Sequence, residues 1–414
     1  MNRMKLGEIL SVKHGWAFKG EYFAEDGEQS ILTPGNFFEK GGFKPNNGKE
    51  RYYTGVYPKE YLCHKGDLIV AMTQQAEGLL GSTALVPENN KYLHNQRIGL
   101  ITCDEKRLNK LFAYYLFMTK SVREQLERSS SGTKVKHTSP EKIYDVEVEI
   151  PDVISQQKIA NLLWSIDEKI ANNNAINDNL EQQAKLLYNY WFIQFNFPDE
   201  NGNPYHSSGG QLVWNKNLQQ EIPQDWRSGN LYDIADYING IACQKYRPSD
   251  EEHSLPVVKI REMNGGITND TERVSSTIPA KNIISSGDIL FSWSASLEVI
   301  MWYGVDAGLN QHIFKVVPKS YFSSEYVYLQ LSEYLIHFIK IAEARKTTMG
   351  HITSEHLQDS HIILPPANII KNFSEYVRPI YQMKKQIANE TSELIKLRDW
   401  LIPMLMNGQA TISD

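Results

Sequence analysis

Residues 137–151, HTSPEKIYDVEVEIP, return as residues 351–365, HITSEHLQDSHIILP, so the chain states one pattern twice. The pairs His137/His351, Glu141/Glu355, Ile143/Leu357, Asp145/Asp359 and Pro151/Pro365 share an offset of 214. Upstream, Leu6-Gly7-Glu8-Ile9 matches Leu231-Tyr232-Asp233-Ile234, and His14-Gly15-Trp16-Ala17 matches Asn239-Gly240-Ile241-Ala242, at an offset of 225. Lys65-Gly66-Asp67-Leu68-Ile69 matches Ser286-Gly287-Asp288-Ile289-Leu290, and Asn95-Gln96 matches Asn310-Gln311. A period above 200 residues is far too long for a solenoid or propeller and means a duplicated domain. The falling offset makes the second copy about eleven residues shorter, a loss of the kind that loops absorb. A chain of 414 residues is also too long for a single core.

Each copy is followed by a helical pattern. Ile159, Ile166, Asn173, Leu180 and Leu187 are spaced by seven, as are Phe373, Ile380, Ile387, Leu394 and Leu401. Leu163, Ile170 and Ala184 in the first segment, and Val377, Met383, Leu397 and Met404 in the second, fill out an apolar seam. A seven-residue repeat sustained over about five heptads predicts a coiled coil, helix against helix. The alternative is that each helix packs on its own globular domain. About 40 residues at 1.5 Å each make a rod of roughly 60 Å. Asn172, Asn173, Asn174, Asn177 and Asn179 interrupt the first seam, either as a register-fixing polar position or as a frayed stretch.

The segment from Phe197 through Gly210, rich in Asn, Gly, Pro and Ser, reads as a loop or linker. The expected order is a globular domain over residues 1–151, a helix over 152–196 and a linker over 197–224. A second globular domain over 225–365, a helix over 366–408 and a tail over 409–414 follow. Within the globular parts, Asp67–Met72 and Asp288–Trp293 read as buried strands, and Val146–Ile150 and His361–Leu364 as closing strands. Leu108–Met118 and Ser324–Ile341 read as helices. Strands and helices do not alternate regularly, so the fold class is α+β: two similar domains of mixed structure with two long helices in an antiparallel coiled coil.

No apolar run is long enough for a membrane span. Cys63, Cys103 and Cys243 are far apart, which argues against a disulfide framework or zinc site and suits a reducing cytoplasm. The net charge of −6 speaks against a polyanion partner if counted globally. Counted by segment, residues 1–150 carry 21 Lys and Arg against 19 Asp and Glu, whereas residues 221–365 carry 12 against 18. The acidity therefore sits in the second half, and affinity from phosphate neutralisation by this chain alone should be modest.

Residues for chemistry are not found. An adenine methyltransferase needs a [DN]-P-P-[YF] loop, which neither Asn203-Pro204-Tyr205 nor Leu364-Pro365-Pro366-Ala367 supplies. Gly48-Lys49-Glu50 lacks the hydroxyl and spacing of a phosphate loop. No nuclease carboxylate cluster surrounds Pro198-Asp199-Glu200, and His14, His137, His312 and His351 make no metal-spaced set.

The paired Gly-Asp-hydrophobic strands, the Asn-Gln pairs, the H-x-[ST]-x-E-x-[IL]-x-D…P closures and the two rods resemble, along nearly the whole chain, the specificity subunits of type I restriction–modification enzymes. The resemblance implies two target-recognition domains, each reading one half of an asymmetric, bipartite site on double-stranded DNA. It implies a coiled coil that sets the spacer between the half-sites and docks two modification (methyltransferase) subunits, with ATP-dependent restriction subunits joining for cleavage. It implies no catalytic, cofactor-binding or metal-binding residues here; S-adenosylmethionine, ATP and Mg would belong to the partners, in a cytoplasmic complex. The alternatives are a self-sufficient methyltransferase or nuclease with unrecognisable motifs, or a coiled-coil scaffold with no DNA role.

Residues that recur in both copies, such as His137/His351, Asp67/Asp288 and Asn95/Asn310, are expected to hold turns, because readout of two different half-sites should diverge. Polar loop residues that differ are the better candidates for DNA contact. In the first domain these are Lys44, Asn46, Asn47, Lys49, Arg51, Gln74, Gln75, Lys134 and Lys136. In the second they are Tyr246, Arg247, Arg261, Asn264, Arg345, Lys346 and Thr347. Arg and Lys match guanine, Asn and Gln match adenine, and hydroxyls suit phosphate.

Overall fold

The computed structural model describes residues 2–412 apart from 47, 133–134, 250–252, 269, 295 and 345–350. The chain forms two compact units. One comprises Met1–Ile170 with Glu393–Asp414, the other Ala171–Ser392. Each is thus built from its own globular domain plus a piece of both long helices.

In the first unit, Asn2–Lys5 pairs antiparallel with Glu147–Ile150, so the closing strand of the repeat returns to its opening strand. A four-stranded antiparallel sheet follows the order Leu10–His14, Ile98–Cys103, Leu68–Ala71, Thr83–Leu85. A second sheet has the order Phe23–Ala24, Tyr52–Tyr53, Ser30–Ile31, Tyr92–Leu93, its last pair parallel.

The second unit repeats the closing pair and the first sheet of this topology and varies the second sheet. Arg227–Gly229 pairs with Ile362–Leu364. One sheet runs Ala235–Asn239, Ile313–Pro318, Ile289–Ser292, Glu298–Met301. The other runs Arg273–Ser275, Ser254–Val258, Ala307–Leu309, Ile283–Ile284, again with one parallel pair. Leu68–Ala71 and Ile289–Ser292 are buried at every position, which explains why every residue but Ser292 is apolar.

Two of the recurring residues, Asp67 and Asp288, hold matched turns. Asp67 Oδ2 accepts from the amide of His64 at 2.8 Å, and Asp288 Oδ2 from that of Ser285 at 2.7 Å. Gly66 and Gly287 between them take φ of +84° and +110°, a region that a side chain would strain.

The long helices span Val153–Tyr188 and Ala367–Met406. Asp152 starts the first: its carboxylate accepts from the Ser155 amide at 3.0 Å, a bond that holds the acid below its usual range. A wider π-type turn, Asn189–Ile193, ends it and delivers Trp191 and Phe192 into the second unit's core. The segment 197–224 is structured: Phe197 stacks on Tyr205 and Trp226, and Leu212–Asn215 pairs with Gln220–Pro223 as a hairpin. Three aromatics spread over thirty positions carry that packing, and local composition does not reveal it.

Along the seam, Ile159, Ile166, Leu180 and Phe373 are buried, while Leu187, Ile380, Ile387, Leu394 and Leu401 are partly covered. The second row differs from expectation, because Met383 and Leu397 are about half exposed. The covered row is instead Val377, Lys384, Thr391, Arg398 and Leu405, spaced by seven but polar in its middle. A search for apolar letters skips such a row. Within the second unit Lys384 pairs with Glu181, and Asn173, 1% exposed, donates its Nδ2 to Glu390 Oε2 at 2.8 Å. These pairs run in opposite numerical order, so the two helices are antiparallel there. Asn173 sits in continuous helix and acts as the buried polar position rather than as a frayed one.

Candidate nucleic-acid interface

The first unit carries a concave site of about 510 Å³ beside its parallel strand pair. Lys49, Arg51 and Arg97 line it together with four side-chain amides, those of Asn46, Gln75, Asn95 and Gln96. Phe18, Phe23 and Ile31 form its apolar wall. No Asp or Glu is among the described residues that line it. In a chain of net charge −6, a cleft whose described lining residues include three cations and no carboxylate concentrates positive potential where a polyanion can approach.

The local fold explains how these side chains converge. Asn36, 3% exposed, donates Nδ2 to the Lys44 carbonyl at 3.3 Å, while its Oδ1 accepts from Asn46 Nδ2 at 3.4 Å. That buried amide pins the loop bearing Asn46. Arg51 is fixed by strand pairing, its carbonyl accepting from the Ile31 amide at 2.8 Å. Gln75 stands at the head of a loop clamped by Arg123, which donates to the carbonyls of Phe117, Gly78, Leu80 and Glu39. Burial without a carboxylate pushes the Arg123 guanidinium down to about 10, still charged at neutral pH. It is partly buried and spends its donors on backbone carbonyls, as a clamp.

Of the residues proposed from sequence, Asn46, Lys49, Arg51 and Gln75 line this cleft. Lys44 is exposed outside it, with its ammonium over the Phe38 ring at 5.8 Å. Gln74 is half-buried, its Oε1 among the buried acceptors without a partner, and Lys136 is ion-paired with Glu127. Asn47 and Lys134 lie outside the described residues, as do Arg345, Lys346 and Thr347. In the second unit Tyr246 and Arg247 are exposed. Arg261 directs Nε and Nη2 to Oε1 of the buried Glu262 at 2.9 and 2.7 Å, and Asn264 donates to the Ile260 carbonyl at 3.1 Å. Those two are committed to their own helix, Ile260–Gly265, more than their lettering suggests.

Sequence reasoning passed over Gln96 and Arg97. They follow Asn95, whose recurrence marked the whole turn as structural. The available signal was that the next letter is not shared: Arg97 stands where the other copy has His312.

Among the described residues no group of His, Cys, Asp and Glu could hold a metal ion. The three cysteines are free, and burial raises the thiols of Cys63 and Cys103 to about 12 and that of Cys243 to about 11. No described helix is long and apolar enough to cross a membrane.

Comparison with known proteins agrees with this duplicated architecture. Residues 1–182 and 223–397 each match the Type I restriction modification DNA specificity domain. The chain is 25% identical over 317 residues to the type I restriction enzyme MjaIX specificity subunit of Methanocaldococcus jannaschii, covering 73% of this chain and 69% of that one. It is 22% identical over 360 residues to the HindI specificity subunit of Haemophilus influenzae, covering 72% and 77%. Among solved structures, the S subunit of a type I restriction–modification system from M. genitalium is similar in fold, with a TM-score of 0.57 at 15% identity, over 100% of this chain and 96% of that one. With both halves of its repeat matched to that domain, this chain belongs to the type I restriction–modification DNA specificity family, as a DNA sequence-recognition subunit.

Proposed function

We propose that each unit reads one half of a bipartite DNA site, and that the cleft around Lys49, Arg51 and Arg97 is the reading surface of the first. The observation that carries this is the cleft itself: three cations and four amides with no carboxylate among the described lining residues. Cations anchor phosphates and match guanine, and amides match adenine. The chain performs no chemistry in this reading. S-adenosylmethionine, ATP and Mg belong to partner subunits in a cytoplasmic complex, two modification subunits dock on the two similar halves, and the long helices set the unread gap.

The test is electrophoretic mobility of duplex DNA with the full chain and its modification subunit. Replacing Lys49 and Arg51 together by Ala should weaken binding and lower the slope of log affinity against log salt by about two. Methylation mapping of that variant should show relaxed sequence demand in one half-site only. Unchanged affinity and unchanged demand would remove the cleft from the interface.

A further inference from the structure

We infer that Arg97 and His312 are equivalent base-reading positions, one in each unit, presented by the same rigid turn and differing so that the two half-sites differ. The inference rests on the reading of the cleft as a DNA surface and adds which side chain discriminates there.

The two positions occupy one backbone frame. The Arg97 amide donates to Asn95 Oδ1 at 3.3 Å, and the His312 amide to Asn310 Oδ1 at 3.3 Å. The Arg97 carbonyl accepts from the Met72 amide at 3.0 Å, and the His312 carbonyl from the Trp293 amide at 3.3 Å. The turn closes alike, Ile98 N to Asn95 O at 2.9 Å and Ile313 N to Asn310 O at 3.1 Å. Both turns are backed by a glycine seated on the asparagine carbonyl. A Cβ at Gly15 or at Gly240 would lie 2.1 Å from the carbonyl oxygen of Asn95 or Asn310.

Within this frame both peptide groups of the presented residue are occupied, so only its side chain is left to act. Arg97 and His312 are both exposed, whereas Ile98 and Ile313 beside them are buried. Gln96 and Gln311 are the same in both copies and cannot distinguish two half-sites. The next position is where a shared scaffold meets an unshared letter. Arg97 points the reading towards guanine, whose O6 and N7 match a guanidinium fork. His312, its ring 5.7 Å from that of Trp293, offers a single ring N–H or a single acceptor and a different preference.

The experiment is methylation mapping with the full chain and its modification subunit, combined with binding to a duplex library randomised across both half-sites. R97A should lower discrimination at one base pair of one half-site by about ten- to a hundredfold and leave the other half-site unchanged. H312R should change the preferred base at one position of the opposite half-site. Uniform weakening of all sequences by R97A, with a shallower salt dependence, would make Arg97 a phosphate contact and overturn the inference while leaving the cleft on DNA. Loss of demand in both half-sites from either variant would also overturn it. Should R97A and the double Lys49, Arg51 variant both bind and discriminate as the unaltered chain does, the cleft reading fails together with it.

Discussion

Arg398 Nη1 lies 2.9 Å from Asp167 Oδ1, and the hydroxyl of Tyr115 donates to the other oxygen of the same carboxylate at 2.6 Å. Arg398 also bonds Asp399, which reaches Lys40. Within the first unit this chain of polar contacts ties both long-helix segments to the globular domain. Burial works against charge on Arg398, but its bonds to Asp167 and Asp399 outweigh it and hold the guanidinium above its ordinary range. Both side chains of the ion pair are about one-fifth exposed, so solvent screens it in part. R398A should lower unfolding stability by about 2 kcal/mol, below the full cost of orphaning a buried charge. Urea denaturation measures it, and a loss under a few tenths would mean the pair is a surface ornament.

His94 should make stability depend on pH. It is 1% exposed, and burial pushes its imidazole down from 6.5 to about 4, with Nε2 donating to the Ile98 carbonyl at 2.8 Å. The folded state thus resists a proton that the unfolded chain accepts. The stabilisation is complete above pH 6.5 and drains away as pH falls towards 4, by about 1.4 kcal/mol per unit and about 3 kcal/mol in all. H94Q, whose amide can donate to the same carbonyl without titrating, should flatten that slope. Denaturation midpoints at pH 7, 6, 5 and 4.5 provide the comparison.

Gly15 and Gly240 offer a paired test of the turns. Alanine at either would place a Cβ 2.1 Å from a carbonyl oxygen, and backbone rather than a flexible side chain would have to give way. G15A should disturb sequence demand in one half-site and G240A in the other, each with a stability loss of about 1–3 kcal/mol. Methylation mapping read beside thermal melting checks both halves of the statement. Equal disturbance of both half-sites by G15A would contradict the modular arrangement.

Matched insertions test the helices as a ruler. Four residues after Ile170 and four after Ser392, where the two units part, add about 6 Å to each helix and return side chains to within about 40° of their old face. The unread gap should lengthen by about one or two base pairs, given a rise of about 3.4 Å per base pair along each strand. Two-residue insertions turn the seam by about 200° and should abolish assembly. An active four-residue variant with an unaltered gap would show that something else sets the spacing.

Much of the architecture was legible because duplication compares the chain with itself. Asp67/Asp288 and Asn95/Asn310 stood out as shared letters, and they hold matched turns. The helix rows were legible only where apolar. Lys384 and Arg398 keep the seven-residue spacing but are covered by virtue of partners on another segment, Glu181 and Asp167, and spacing alone does not name partners. The candidate cleft was half legible. Asn46, Lys49 and Arg51 are close in sequence, whereas Arg97 joins them through tertiary pairing, that of Ser30–Ile31 with Tyr92–Leu93 included. Arg261 misled for the opposite reason: its polar partner, Glu262, is its own neighbour.

The burial of Leu405 and Met406 in the same core as Leu6 and Leu10 sets an order on synthesis. About 400 residues separate those two ends of one core. At about 5–20 residues per second, a ribosome needs roughly 20–80 s to travel between them. The domain that holds Leu6 and Leu10 is therefore completed only after residues 171–392, the second unit, have been made. Throughout that interval it exposes apolar surface that Leu405 and Met406 will cover, and a chain halted before them would impair the half of the protein made earlier.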